Sequence, residues 1–455
     1  MIPVVVAMLA AALTGMLLAF RNTKSFAIFL LAVGILRFDT EMGKTIGGNS
    51  NLSSLWLLWL IVLCLFALVR ERVFRHRPTA PEVFYGIFLL WCGIEACLSD
   101  NIAFAARMYL KLLYPLLVML VIRLVVDGEQ IASTLLRKSL LAGVISCTLI
   151  GSLTARIAPF VTSTLMPFLW FGAATADCAA LMTMIALSVW RLHGKWYYLA
   201  FALLLGTTSL FGTIRTGVAA TAIGISVFAI LELGKKSLPV VLFIYVGSAL
   251  AFVALPEMRD KTFFDSSRAH FTDTLDPTSV DYDNIDSSGR FTLWQTVLDR
   301  FFWENPVMGS GLGATQAWFY GGGYHDVITV EHSEYVRLLS DTGVVGLGLY
   351  LLMIGSCMVA LWRTYRSTSH PVVRYLSIAA FSMFPAYMFC MGFDNVLNYV
   401  LPAGQYPFAF TGAAIGLSQT LRKQRRESAS RDHPETGAPL SEPQLAGASF
   451  RSVHP

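Results

Sequence analysis

The chain has 455 residues and a formal net charge of +5, and its composition is strongly apolar, with 55% hydrophobic and only 14% charged residues. Soluble domains usually carry about 25% charged residues, so this chain lacks the polar surface of a soluble protein of its length. Apolar runs of roughly 20 residues, enough to cross about 30 Å of hydrocarbon, recur along it. The sequence therefore predicts an all-α polytopic membrane protein and excludes a soluble class.

The N-terminal run begins without a basic residue, which is the wrong polarity for a cleaved signal peptide, and we interpret it as a first spanning helix. Thirteen apolar segments are candidates for spanning helices, and since several are short we expect 12 or 13 spans. In chain order, the candidates are 2–20, 25–37, 52–69, 83–98, 109–126, 135–155, 171–190, 196–213, 217–233, 238–255, 342–361, 373–392 and 400–419.

Basic residues are unevenly distributed between the two sides that these spans define. If the spans alternate, the turns and tail on one side hold 22 of the 34 Lys and Arg residues, which makes that side the cytoplasm. Residues 1–255 then form a transmembrane helix bundle, 256–341 a periplasmic loop that carries the active site, and 342–420 the C-terminal transmembrane helices. Residues 421–455 begin basic, become rich in Pro and Ser, and are predicted to be a disordered cytoplasmic tail.

The long loop 256–341 is acidic, with fourteen carboxylates against six Lys and Arg. Its central part, 271–289, is rich in turn formers, and short amphipathic helices are expected after it. Beyond Arg290, apolar residues follow the i, i+3, i+4, i+7, i+8 spacing of a helix that ends before Pro306, with Ser287 and Ser288 as candidate caps. The apolar positions are Trp294, Val297, Leu298, Phe301 and Phe302.

Two arginines are candidates for binding an anion at the membrane surface. Arg215 lies where two apolar segments meet without a loop, so it is either a snorkelling arginine in a tight turn or a fixed cation for phosphate oxygens. Arg290 lies at a predicted helix N-terminus, where the helix dipole is already positive. Unless Asp286 neutralises it, Arg290 forms an anion site together with the free N–H groups of that helix.

His332 lies shortly before the apolar run that begins at residue 342. A histidine in such a loop is often ordinary surface, yet at the membrane interface a neutral imidazole is suited to accept a proton near neutral pH. Gly343, Gly346 and Gly348 then predict a small-residue face for close helix packing below it.

Three glycines lie upstream of that histidine, in the stretch ENPVMGSGLGATQ. Gly309, Gly311 and Gly313 follow a predicted helix and not a strand, so they indicate a turn that approaches other backbone closely and not a nucleotide-binding motif.

The remaining candidates for chemistry are charged groups and cysteines within apolar segments. Glu95, Asp177 and Asp394 are expected to pair inside the bundle, and each is a functional candidate by default. The seven cysteines all lie in apolar segments, so neither a disulfide framework nor a metal site is predicted, and we expect no cofactor.

Three stretches together resemble a known family. His332–Ser333, then nine residues, then the Gly343 to Gly346 stretch is similar to a signature of bacterial O-antigen ligases. The segment GRFTLWQ…ENPVMGSGLG resembles the region that precedes this histidine in O-antigen ligases and polymerases. The sequence IRTG at 214–217 resembles their arginine at the membrane boundary.

The resemblance implies a metal-independent glycosyltransferase of the bacterial inner membrane, with its active site on the periplasmic side. It would transfer O-antigen glycan from undecaprenyl diphosphate to lipid A–core, with inversion at the anomeric carbon. By this resemblance Arg215 and Arg290 would bind the diphosphate and His332 would act as the base. The lipid bilayer is the only other expected partner, and no nucleic acid is expected.

Two alternatives remain open. An O-antigen polymerase of the same superfamily would extend the lipid-linked glycan, and the spacing from Arg300 to Gly311 resembles one linked to polymerases, although only one outer loop here is long. A transporter or flippase is disfavoured because the candidate residues concentrate in one outer loop and no internal repeat is evident.

Overall fold

The computed structural model describes residues 2–35, 51–147, 173–211, 214–254, 290–323 and 330–432. Within these ranges the regular structure is helical and contains no strand, so the all-α prediction is confirmed. Before residue 255 the helices are α1 (Ile2–Arg21), α2 (Thr23–Ile35), α3 (Asn51–Arg70), α4 (Ala80–Leu98), α5 (Ile102–Val125), α6 (Glu129–Gly143), α7 (Ala173–His193), α8 (Trp196–Phe211), α9 (Arg215–Leu233) and α10 (Leu238–Ala254).

The helices after residue 289 begin with short segments and end with long ones. The first passes into a π-helical turn at Leu298–Phe302, and the last follows a second π-helical turn at Val400–Gly404. These helices are α11 (Arg290–Val297), α12 (Ala314–Tyr320), α13 (Glu334–Ser367), α14 (Pro371–Phe393) and α15 (Tyr406–Asp432).

Within the described ranges, six helical segments are long and apolar enough to span a membrane, and four shorter apolar helices accompany them. This confirms the polytopic membrane class, while the total of 12 or 13 spans stays a prediction. The six are Ala80–Leu98, Ile102–Val125, Ala173–His193, Arg215–Ala251, Glu334–Ser367 and Pro371–Phe393.

The closest helix packing joins α15 to α5. A Cβ added at Gly412 would lie 2.3 Å from the carbonyl oxygen of Met119, and one added at Gly416 would lie 2.3 Å from that of Arg123. Two glycines one turn apart therefore let the two backbones approach, as small residues do in membrane helix pairs. Buried aromatic rings fill the neighbouring core, and the hydroxyls of Tyr350 and Tyr387 are hydrogen-bonded at 2.9 Å.

Several helix ends meet near His332, and we call this end of the bundle the His332 end. Cys390 near the end of α14 donates to a carboxylate oxygen of Asp177 near the start of α7 (3.3 Å). A Cβ added at Gly217, in the first turn of α9, would lie 2.9 Å from Cβ of Ala176 in α7. The starts of α7 and α9 therefore lie beside the end of α14.

Two predicted boundaries differ from the structure. The helix predicted to start at 342 is preceded by a further helical segment that begins at Glu334, where Ser333 caps it by accepting from the Val336 N–H (3.4 Å), and the two segments meet at the non-helical Gly343. The last helix continues to Asp432, so residues 421–432 of the predicted tail are helical, which suits a run of Arg, Lys, Gln and Glu. Residues 256–289, with Asp286, Ser287 and Ser288, and residues 433–455 lie outside the described residues.

The helix predicted after Arg290 is present, as an α-helix to Val297 that continues in a π-helical turn to Phe302. Val297 and Phe302 of the predicted stripe are buried, together with Leu293, which the stripe did not include, while Phe291 is exposed. The helix packs on α12 and α13, because Leu293, Val297 and Phe319 form a small apolar cluster with Val336.

Candidate functional site

His332 is held at the start of α13 by one residue from the loop after α14. Its backbone has φ 54°, a left-handed conformation that is uncommon outside glycine. Its N–H donates to Oδ1 of Asn395 at 3.1 Å, and the Nδ2 of the same amide lies 3.1 Å from the ring Nδ1. Asn395 therefore contacts both the backbone and the ring of His332, and it is itself only 1% exposed.

Arg290, a predicted diphosphate ligand, lies beside this histidine. Its Nη1 donates to the carbonyl oxygen of Phe393 at 2.8 Å, two residues before Asn395. In the same helix, Trp294 Nε1 donates to the carbonyl oxygen of Glu331 at 2.8 Å, directly before His332. The first turns of α11 are thus fastened to both segments that carry the His332–Asn395 pair.

The environment of His332 keeps its ring neutral. Burial, with the nearby positive charge of Arg290 as the second cause, lowers the pKa of His332 to about 4. The same guanidinium counteracts the rise that burial imposes on the pKa of Asp394, whose carboxylate accepts from the Asn395 N–H at 2.7 Å. At neutral pH the site therefore presents one fixed cation beside an uncharged imidazole.

A buried ionic group, which we call the Arg337 cluster, lies directly below His332. It consists of Glu331, Glu334, Arg337, Asn398 and Lys111. The Arg337 guanidinium pairs with Glu331 (Nε to Oε1, 3.0 Å) and with Glu334, while Lys111 Nζ donates to Asn398 Oδ1 at 2.6 Å. Glu334 also accepts from the backbone N–H of Leu397 at 2.7 Å, which joins α13 to the loop that holds Asn395.

Gly343 breaks α13 and does not extend a packing face as predicted. Its φ of 67° is not helical, and a Cβ there would lie 2.1 Å from the carbonyl oxygen of Val307. Gly309 crosses at the same point, where a Cβ would lie 2.6 Å from the Asp341 carbonyl carbon. The predicted close backbone approach at Gly309 is therefore observed, and its partner is the kink at Gly343. Of the other two glycines, a Cβ added at Gly346 would clash with the Thr342 side chain and lie 3.2 Å from Trp91, whereas one added at Gly348 would meet open space.

Asp341 connects this kink to α12. Its carboxylate accepts from the N–H groups of Gly313 (2.9 Å) and Thr315 (3.0 Å) and from the Thr315 hydroxyl (2.9 Å), which satisfies the start of α12. Gly313 and Gly311 both have left-handed φ values and lie against Phe104 and Ser99, respectively. The glycine stretch is thus a close-packed connection, as predicted.

A cavity of about 880 Å³ lies between α11, α12 and the turn that joins α4 to α5. Among the described residues that line it, the charges are mainly negative, and the one cation, Arg300, lies over the Trp318 ring at 5.4 Å. Phe301 contacts the same ring edge-to-face. The lining includes Asp100, Asp299, Arg300, Phe301, Glu304 and Trp318.

Arg215, the second predicted diphosphate ligand, is the first residue of α9 and is half-buried. The contact of Gly217 with α7, and that of Asp177 with α14, place it at the His332 end. Of the three acids expected to pair inside the bundle, Asp177 binds the Cys390 thiol. Among the described residues, Glu95 Oε1 and Asp177 Oδ2 have no hydrogen-bond partner.

Residues 199–351 match the family model described as O-antigen ligase. This segment is similar to the O-antigen ligase family. None of the curated proteins compared with the chain matches it. The match covers about a third of the chain, from α8 into α13, and the family has a glycosyltransferase role in O-antigen processing at a lipid bilayer.

The O-antigen ligase segment includes Arg215, Arg290 and His332, and the resemblance seen in the sequence is confirmed at this level. It ends before Asn395 and Asn398, which the sequence analysis did not select. Their contacts join residues more than 60 positions apart, so no local spacing reveals them. A local signal did exist for the Arg337 cluster, because Glu334 and Arg337 are three residues apart and so share a helix face.

Proposed function

We propose that the protein is an O-antigen ligase that transfers O-antigen glycan from undecaprenyl diphosphate to lipid A–core. The observation that carries this proposal is that Arg290 and His332 are both hydrogen-bonded to the segment Phe393 to Asn395, which lies at one end of the membrane-spanning bundle. A fixed guanidinium next to a neutral imidazole suits a lipid-linked diphosphate donor, whose charged part must remain at headgroup level.

In the proposed mechanism, Arg290 and Arg215 bind the donor diphosphate, because a guanidinium can fork onto phosphate oxygens and stabilise charge on the leaving group. A hydroxyl oxygen of lipid A–core attacks the anomeric carbon on the face opposite the diphosphate. The bond from this carbon to the diphosphate oxygen breaks, the electron pair leaves with undecaprenyl diphosphate, and the configuration inverts. His332 acts at this step, either by accepting the hydroxyl proton or by donating a hydrogen bond.

The glycan itself is proposed to lie in the cavity next to α11 and α12. Aromatic faces and carboxylates are suited to a hydroxyl-rich sugar, since the ring packs on C–H groups and the carboxylates accept from hydroxyls. Trp318, Asp299 and Glu304 supply these groups. The same elements pack on Val336 four residues after His332, so a glycan there would extend toward the site.

The orientation expected from the distribution of basic residues places the His332 end in the periplasm and the end of α15 in the cytoplasm. The donor is presented on the periplasmic leaflet in this proposal, so the reacting groups and the substrate lie on the same side.

The test is a transfer assay with purified protein in detergent, lipid-linked O-antigen, lipid A–core and EDTA. Arg290→Ala and His332→Ala are compared with Arg75→Ala, a control at an exposed position at the opposite end. We expect capped lipopolysaccharide from wild type and the control, and loss of product from the two site variants. Longer lipid-linked glycan without capping would identify a polymerase, and full activity of both site variants would contradict the site.

A further inference from the structure

The orientation of the Asn395 amide determines which ring nitrogen of His332 carries the proton. A backbone N–H can only donate, so the amide oxygen Oδ1 must face the His332 N–H, which lies at 3.1 Å. The amide nitrogen Nδ2, which can only donate, then faces ring Nδ1 at 3.1 Å. Nδ1 must therefore be the acceptor, and the neutral ring carries its proton on Nε2. Exchanging the amide oxygen and nitrogen would set two donors against each other at the backbone.

We propose that Asn395 is a positioning residue that holds His332 as the Nε2–H tautomer, so that His332 donates a hydrogen bond to the departing diphosphate and does not accept the hydroxyl proton. This inference rests on the proposed function, because it assigns the role of His332 in that reaction. It differs from the base role expected from the family resemblance.

The position of Arg290 supports a contact on the diphosphate side. Arg290 and His332 are both hydrogen-bonded to the segment Phe393 to Asn395, and the charge of Arg290 acts on the His332 ring. The group that binds the diphosphate and the imidazole therefore lie together. A general base for the incoming hydroxyl would instead be needed on the opposite face of the sugar. Nε2 has no hydrogen-bond partner among the described residues, so it is available to a substrate oxygen.

The reaction balances without transfer of the hydroxyl proton to His332. The acceptor oxygen forms its bond to the anomeric carbon as the bond to the diphosphate oxygen breaks, and the electron pair goes to the diphosphate. The Nε2–H stays on the ring and, with Arg290, stabilises the charge on that oxygen. The hydroxyl proton passes to water on the attacking face.

Asn395 is anchored well enough to impose this tautomer. Its backbone N–H donates to the carboxylate of Asp394 (2.7 Å), and its carbonyl oxygen accepts from the Asn398 N–H (2.9 Å). Burial further disfavours the doubly protonated ring, in which Nδ1–H would face the Asn395 amide protons.

The tautomer is measured directly by nitrogen NMR of histidine-labelled, full-length protein in bilayers, with the His332 signals assigned by their loss in His332→Ala. We expect the neutral ring of wild type to be protonated on Nε2. In Asn395→Asp both side-chain oxygens accept, so the proton should move to Nδ1. A wild-type ring protonated on Nδ1, or an unchanged tautomer in Asn395→Asp, would overturn the proposal whether or not the protein is a ligase.

The role in the reaction is tested with two variants in the transfer assay. His332→Gln keeps an N–H donor near the Nε2 position but has no basic nitrogen, and we expect it to remain within about tenfold of wild type while His332→Ala loses about a hundredfold or more. Asn395→Asp should lose about tenfold to a hundredfold, because Nε2 then has no proton to donate. A His332→Gln as inactive as His332→Ala, with Asn395→Asp at least as active as wild type, would establish His332 as a base.

Discussion

The two ends of the bundle each contain a buried arginine paired with glutamate, but the segments that the two ion pairs join are different. At the opposite end, Arg123 near the end of α5 binds Glu82 near the start of α4 at 2.6 Å, with both side chains almost fully buried. Glu82 also accepts from the Thr79 N–H at 2.6 Å, which caps α4. This pair joins the end of α5 to the start of α4, and neither of these segments carries a candidate site residue.

The Arg337 cluster uses the same chemistry on segments that carry the site. Its carboxylates come from residues 331 and 334, on either side of His332, and Glu334 binds the loop that presents Asn395. Buried ion pairs are weak evidence for stability but can specify one conformation. The buried charges at the His332 end therefore position the start of α13 against the loop after α14. At the opposite end, the buried ion pair only joins two neighbouring helices.

The largest effect is expected from Arg337→Met compared with Arg123→Met. Each change leaves buried carboxylate without its cation, so both should destabilise the fold by about 3–5 kcal/mol. Only Arg337→Met should also lose transfer activity in the protein that remains folded. Thermal unfolding and activity per folded molecule are the measurements, and equal activity in the two folded variants would remove the distinction between the ends.

A smaller effect is expected from changing two glycines of α13, one at the kink and one beyond it. Gly343→Ala places a Cβ against the Val307 carbonyl at an unfavourable φ, and we expect a loss of about 2 kcal/mol or more. Gly348→Ala meets nothing within 4 Å in a helix interior, and should stabilise the protein by about 0.5–1 kcal/mol. Thermal unfolding of the pair measures both, and a neutral Gly343→Ala would show that the kink is not needed.

If the glycan lies in the cavity, a change in the cavity lining should alter glycan binding without altering the rate of the chemical step. Trp318→Ala removes one aromatic contact worth about 1 kcal/mol, so KM for the glycan-bearing substrate should rise about fivefold while kcat is unchanged. Trp303, exposed and outside the cavity lining, supplies the control Trp303→Ala. Equal KM values for the two variants would place the glycan elsewhere.

A further expected effect is a pH dependence that belongs to the His332 end. The pKa of His332 is about 4 in the folded protein, against about 6.5 in an unfolded chain. The unfolded state then binds more protons between these values, so this contribution to stability is complete above about pH 6.5 and is lost as the pH falls toward 4. Unfolding measured from pH 7 to 4 should show a slope that His332→Gln reduces; an identical slope in that variant would assign it to other groups.

The sequence predicted the parts of this molecule that depend on composition or on local spacing. Apolar runs identified the all-α membrane class, and the helical spacing after Arg290 placed that arginine at a helix start. Gly309 was predicted to approach other backbone closely, and it does. These features are readable because each is set by residues that are neighbours in the chain.

What the sequence did not reveal depends on pairs of residues far apart in the chain. Asn395 is an ordinary polar residue after a span until the fold brings it to His332. Gly343 was expected to extend a helix face, because a small residue supports either packing or a left-handed break and its φ cannot be read from the sequence. Asp341 likewise gained its role only when α12 was placed against it.

The left-handed backbone of His332 also limits how a saturation scan of this position can be interpreted. At φ 54°, histidine, asparagine and aspartate are tolerated better than other non-glycine residues, and β-branched residues are tolerated least. Inactive valine or isoleucine variants would therefore report backbone strain, and even alanine mixes strain with the lost ring. Asparagine at position 332 is the substitution that keeps the conformation while removing the imidazole, so its residual activity is the reference against which the rest of the scan should be scaled.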